Sequence, residues 1–246
     1  MKRTLRAALG LALVLTGMAA HALTAAELVA KNVEAKGGAA ALQAVKSLRR
    51  EGRLVVNGGQ FVLQVVETKQ RPDSIRTDLS LQGLTQVQAY DGKDGWRIDP
   101  FGGRKDPERM PADDVKEMLE DASIDGPLVD ASHNGARLEY LGTEDIDGTA
   151  AHKLKVTRQD GGVQYVYLDP EYFLEIRVES QRTVRGVKRT SVTDYGNYEK
   201  VGGVFWPLSI ESGIKGGGDP AKFEYESAQV NVEIAPGYFS FPVAAK

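Results

Sequence analysis

From about Leu48 onward the apolar residues recur at every second position, and that period commits most of the chain to antiparallel β-structure. Phe61, Leu63 and Val65 alternate with Val62, Gln64 and Val66. Ile75, Leu79 and Leu81 follow, then Val87 with Ala89, then Trp96 with Ile98. Turn signals punctuate these runs at Asn57-Gly58-Gly59, Gln82-Gly83 and Asp91-Gly92. The pattern returns at Leu138, His152-Leu154-Val156, Val163-Tyr165-Tyr167 and Leu174-Ile176-Val178, and again over residues 190–195, 204–211 and 222–230. No strand–helix–strand rhythm is present, which argues against a parallel sheet. The spacing predicts roughly ten or eleven strands in one domain. A single antiparallel sheet of that size tends to curl or close, leaving a face that helices can cover to make a cavity.

Two segments depart from this period. The first precedes it: Thr24 can cap a helix, with Glu27 three residues later and Leu28, Val29 and Val33 on one face before Gly37-Gly38. A second short helix is expected over residues 39–46. The other departure lies in the middle, near residues 111–132. There Pro111, Asp113 and Asp114 suit a helix start, and Val115, Met118 and Leu119 form an apolar stripe. A helical insertion of this kind cannot continue a sheet, so it is expected to lie on a face or across an open end.

At the N-terminus, Lys2, Arg3 and Arg6 precede an apolar run from Ala7 to Ala20 and then Ala20-His21-Ala22. Small residues at the first and third places of that triplet predict a secretory leader cleaved after Ala22. The run is shorter than the ~20 residues that span hydrocarbon, which disfavours a permanent anchor. The expected mature form is residues 23–246, a soluble monomer outside the cytoplasm. The formal charge is −3, and −6 once the leader's three positive charges are removed. A negative, mixed-sign surface argues against nucleic acid as a partner. The chain has no cysteine, so thiolate metal sites, disulfides and a cysteine-linked lipid are excluded.

The chemistry-bearing residues are sparse. Only His133 and His152 remain after the leader, in different elements and without ligand-spaced neighbours. No H-E-x-x-H, nucleophile elbow or phosphate loop occurs. His152 alternates with Leu154 and Val156 and reads as a sheet residue, and His133 as a turn residue. Most of Asp113, Asp114, Glu117, Glu120 and Asp121 fall on a solvated helix face, while Glu144, Asp145 and Asp147 form a turn-like run able to hold a cation weakly. The residues therefore predict no catalytic centre, no metal site and no cofactor.

Two motifs are more specific. Arg71-Pro72 leads into a strand, and Tyr90-Asp91-Gly92-Lys93-Asp94-Gly95-Trp96-Arg97-Ile98-Asp99-Pro100-Phe101 reads as a hairpin. An R-P strand entry followed by D-G-K-x-x-W-x-x-x-P-F resembles the LolA-like periplasmic lipoprotein carriers, the group of outer membrane lipoprotein-sorting proteins. The element order is similar to theirs through to the aromatic segment Tyr238-Phe239-Ser240-Phe241-Pro242. The resemblance implies a mainly β, α+β fold: one strongly curved antiparallel sheet, a half-open β-barrel with a helical lid and an N-terminal helix. It also implies a non-enzymatic role in lipoprotein sorting, with acyl chains as cargo, an inner-membrane exporter and an outer-membrane acceptor as partners. By position, Arg71 matches the arginine that ties sheet to lid, and Trp96 the hairpin tryptophan, whose expected role is packing.

On that reading the cavity is expected to be lined by Phe61, Leu63, Val65, Ile75, Leu79, Trp96 and Ile98, with Met118 and Leu119 facing inward from the lid. Tyr165, Tyr167, Tyr195 and Tyr198 are placed to narrow or polarise it. Three alternatives stay open: a sensor module that binds a membrane protein, a hydrolase with His152 beside a buried carboxylate, and a structural protein with a filled interior.

Overall fold

The computed structural model describes residues 23–184 and 187–242. The expected leader, residues 1–22, lies outside the described residues. The chain opens with α1 (Ala25–Ala35) and α2 (Ala39–Ala44). The first begins as its sequence dictates: the Thr24 hydroxyl accepts from Glu27 N at 3.2 Å, and the Glu27 carboxylate accepts from Thr24 N at 2.8 Å.

Six strands then run as a meander: β1 (Ser47–Val56), β2 (Phe61–Gln70), β3 (Ser74–Leu81), β4 (Leu84–Tyr90), β5 (Gly95–Asp99) and β6 (Arg104–Arg109). After α3 (Ala112–Ala122) and α4 (Pro127–His133), seven more form a second meander. These are β7 (Arg137–Ile146), β8 (Thr149–Thr157), β9 (Val163–Leu168), β10 (Glu175–Val184), β11 (Val187–Val201), β12 (Val204–Ile214) and β13 (Ala221–Val230). The two meanders join where β1 pairs antiparallel with β13, giving one sheet of 13 strands that runs from β6 at one edge to β7 at the other.

That linear order corrects the expected half-open, strongly curved barrel. Among the described residues no ladder joins β6 to β7, so the sheet stays open rather than closing or curling on itself. Two physical reasons stand out. First, helices cover both ends of the apolar face, which there needs no second sheet wall. Its core is divided into separate clusters, with Leu28 and Leu128 packed on Leu154, Val156, Val166 and Leu168 at one end, and Met118 and Ala122 packed on Ile75 and Tyr90 at the other. Second, the edges are protected without closure. β6 is short and carries Arg104, Lys105, Glu108 and Arg109, while β7 is broken by an irregularity between Tyr140 and Thr143.

The topology also explains the helical insertion. The chain leaves β6 at one edge and must enter β7 at the opposite edge. Residues 110–136 make that crossing, and α3 and α4 lie over one face of the sheet. Register defines what this face presents. Cross-strand partners Leu54 and Leu63, Gly52 and Val65, Arg50 and Glu67, and Leu48 and Lys69 all point to it. The other face is covered near β4 and β5 by the C-terminal aromatic segment, where Trp96 Nε1 donates to the Phe239 carbonyl at 2.7 Å.

Gly52 sits at a register shift between β1 and β13. A Cβ there would lie 2.1 Å from the Glu224 carbonyl oxygen and 2.6 Å from the Tyr225 Cα. This close approach places Tyr225 over Arg50 in the neighbouring row. Gly52→Ala is expected to cost about 3 kcal/mol, near the upper end for overpacking, as read by urea denaturation.

Candidate functional site

Three cations from three separate elements hold the stretch that links α3 to α4, residues 123–126. Arg71, in the turn between β2 and β3, donates from Nη1 to Asp125 Oδ2 at 2.6 Å and from Nη2 to the other carboxylate oxygen. The same guanidinium donates to the Val45 carbonyl at 2.8 Å and the Leu42 carbonyl at 3.1 Å, beside the end of α2. Lys36, just beyond α1, donates to the Asp125 carbonyl at 3.0 Å and pairs with Glu175 at 2.7 Å. Lys69, on β2, donates to the Asp121 carbonyl at the end of α3, where a helix leaves unsatisfied acceptors. The lid is thus held by apolar contacts at its two ends and by charged donors in the middle.

Beneath this linker is a cavity of about 220 Å³. Its floor is polar. Arg50 donates to Glu67 Oε1 from Nη2 at 2.6 Å and from Nε at 3.2 Å, and to the Pro207 carbonyl at 3.0 Å. The guanidinium stacks 4.1 Å from the Tyr225 ring centre, and the Tyr225 hydroxyl donates to Glu67 Oε2 at 3.4 Å. Burial alone would raise the Glu67 carboxyl, but Arg50 and Lys69 outweigh it and hold the group below its ordinary value. Tyr195 and Tyr198 complete the wall opposite, and burial raises both phenols so that they remain protonated donors.

The cavity continues into an apolar strip on the same sheet face. Ile210, Phe223 and Tyr225 belong to both. Beyond them lie Leu54, Leu63, Val65 and Leu208, flanked by half-buried Val56, Leu79 and Leu81. Among the described residues, those packed against this strip all come from the sheet itself, none from a helix.

Of the residues expected to line a cavity, Leu63, Val65 and Leu79 are in this strip, and Phe61 lies at its end, 48% exposed. Ile75 shares the face but is packed under the lid against Met118. Leu119 turns outward, 39% exposed. Trp96 and Ile98 lie on the opposite face with Val87, Ala89 and Phe241. The four-residue turn 91–94 sets Tyr90 opposite Gly95, so Trp96 pairs with Ala89 and points away from Ile75. Tyr195 and Tyr198 reach the cavity, whereas Tyr165 and Tyr167 meet Lys153 on the far side of β9.

Arg50, Glu67, Lys36, Glu175 and Tyr225 were not singled out in the sequence. A signal for the first two was present, because Arg50 falls between Leu48 and Leu54 in the inward parity, as Glu67 follows Leu63 and Val65. A charge at an inward position of a strand requires a partner. His152 faces Tyr140, whose hydroxyl is 3.0 Å from Nδ1, and stacks on Phe173 at 5.8 Å. Burial and nearby Lys31 lower its pKa. His133 ends α4 rather than lying in a turn. Glu144 and Asp147 are engaged by Lys153 at 2.6 Å and Arg177 at 3.0 Å. No group of three or more metal-ligating side chains occurs among the described residues.

Asp130 on α4 is partly buried beside the linker. Burial raises its carboxyl, the Ser123 hydroxyl opposes that, and nearby Asp125 adds to the rise. A folded-state value above the unfolded one gives stability that is present at low pH and lost as pH rises through the folded value. Asp130→Asn is therefore expected to raise Tm at pH ~7.5 and to leave it unchanged at pH ~3, below both values.

No family model and no curated protein matches the chain. Solved structures do. A DUF1329 family protein from Desulfovibrio piger aligns over 88% of this chain and 97% of its own, at 12% identity and TM-score 0.63. A protein assigned as an outer membrane lipoprotein-sorting domain from Vibrio parahaemolyticus covers 88% and 97%, at 13% identity and TM-score 0.61. A LolA superfamily protein from Nitrosomonas europaea covers 89% and 98%, at 14% identity and TM-score 0.59. The chain has the fold of this superfamily, in agreement with the resemblance carried by its R-P and hairpin motifs.

Proposed function

We propose that this protein is a periplasmic, non-enzymatic carrier for an acylated amphiphile, a lipid or a lipoprotein, taken up between the lid and the sheet. The observation that carries this reading is the continuity of a polar, lid-covered cavity with a helix-free apolar strip on one sheet face. An amphiphile matches both parts, with its head beneath residues 123–126 and its chain along Leu63, Leu79 and Phe223. Each methylene buried there contributes about 0.8 kcal/mol, so affinity comes from chain length rather than from many polar contacts. The leader motif and the fold shared with lipoprotein-sorting proteins support the periplasm as its site of action, with an inner-membrane exporter and an outer-membrane acceptor as the expected partners.

The two tryptophans provide the test. Trp206 lines the cavity, whereas Trp96 is buried on the opposite face. A brominated fatty acid is expected to quench the Trp96→Phe variant, which retains only Trp206, in a saturable way, and to leave the Trp206→Phe variant unquenched. Equal quenching of both variants, or none in either, would contradict the reading.

A further inference from the structure

The ladder between β10 and β11 stops at the pair Arg177 and Asp194. Beyond it β11 continues from Tyr195 to Val201 on β12 alone, bending at Asn197, which has φ 49°. The sheet therefore forks at this point. Beside the fork is a groove of about 720 Å³ between α1 and the turn 169–174. Its walls are largely apolar and aromatic: Tyr172, Phe173, Leu174, Ile176, Tyr198 and Phe205. Tyr195, Tyr198 and Phe205 also line the cavity under the lid, so the groove and the cavity meet across the fork.

The fork is barred by one side chain. The Tyr198 hydroxyl donates to the Glu175 carbonyl at 2.8 Å, spanning the two strands that no longer pair. Glu175 is in turn held by Lys36, which also grips the lid linker. The groove itself is built rather than incidental. Phe173 adopts φ 56°, a left-handed conformation costly for a bulky residue. Fully buried Asn32 holds it there by donating to its carbonyl at 2.8 Å.

We infer that this groove is a second binding site, for the straight alkyl chain of an amphiphile, joined to the lid cavity through the β10–β11 fork with Tyr198 as its bar. An alkyl chain is the occupant the site fits, because the exposed surface of its walls is mainly rings and methylenes, although the charged Lys31, Glu34, Asp169 and Glu171 also line it. Continuity with the cavity lets one chain be shared between them. The inference rests on the carrier reading for the nature of the ligand, but the groove is separable from the strip on the other side of the fork.

Palmitic acid bearing a photoactivatable diazirine at its tail tests it, with adducts mapped by peptide mass spectrometry. The expected adducts fall in residues 172–176 and 195–205 as well as on the strip near Leu79 and Phe223. Ile176→Glu puts a charge in the apolar trough and is expected to lower groove adducts about tenfold, leaving those on the strip unchanged. Tyr172→Glu, at a residue 65% exposed, serves the same purpose without touching the core. Tyr198→Phe removes the hydrogen bond that fixes the bar across the fork and is expected to raise groove adducts. Adducts confined to the strip would overturn the groove and leave the carrier reading standing. Adducts confined to the groove would support the second site and count against binding under the lid. A wild type without adducts anywhere would overturn both.

Discussion

Glu67→Ala is expected to cost about 3–5 kcal/mol of unfolding free energy, because it strands the Arg50 guanidinium inside the protein. Both side chains are nearly inaccessible, 5% for Arg50 and 12% for Glu67. Desolvating them is expensive, and the interaction is favourable only as a completed set with the Pro207 carbonyl and Tyr225. Removing both charges by Arg50→Met with Glu67→Leu is expected to recover most of the loss in urea melts, since neither charge of the pair is left buried without the other. The pair also has a pH signature. Glu67 is held below its ordinary value, so its contribution is complete above the unfolded carboxylate pKa of about 4.3 and disappears as pH falls through the lower folded value. The gap between wild type and Glu67→Ala should therefore narrow only in strong acid. A gap that closes already near neutral pH would contradict the assignment.

Arg71→Ala is expected to free the lid without unfolding the sheet. Four hydrogen bonds from one guanidinium join Asp125, Val45 and Leu42. The pair is partly solvated, 25% and 14% exposed, so a discounted loss of about 2 kcal/mol is appropriate rather than the full value of a buried ion pair. That corresponds to an open lid roughly 30-fold more populated, read as faster amide exchange in α3 and in residues 123–126. Strands β8 and β9, under α1 and α4, should keep their protection. Arg71→Lys keeps the charge but loses the planar fork, and is expected to rescue less than half of the effect. Unchanged exchange in α3 would mean that Met118 and Ala122 hold the lid on their own.

Much of the fold was legible because local signals agreed with it. Thr24 and Glu27 predicted a capping box that is present, Pro111 marks the start of α3, and the alternation through Phe61, Leu63 and Val65 gave the correct face of β2. β6 was not legible: Arg104 to Arg109 is charged, contains Pro107 and shows no alternation, which an edge strand tolerates. Closure was misjudged for a different reason. The number of strands limits how flat a sheet can be, but whether its edges meet depends on what covers the face. Here the crossing from β6 to β7 carries the helices over it. Trp96 and Ile98 illustrate the residual ambiguity of strand patterns, since one turn length decided their face. The polar floor of the cavity was missed because only the apolar members of the strand alternation were followed, although Arg50 and Glu67 occupy inward positions.

The central claim is that the strip continuing from the lid cavity holds acyl chains, and it is tested most directly by what the protein carries. Protein produced in a periplasm would be extracted with organic solvent, and the bound lipid identified and counted by mass spectrometry. A variant combining Leu79→Glu with Phe223→Glu, two half-buried strip positions, provides the comparison. The account predicts stoichiometric acyl lipid on the wild type and loss of that lipid from a variant that still shows a cooperative melt. An empty wild type that also fails to take up added fatty acid, phospholipid or lipoprotein would contradict it.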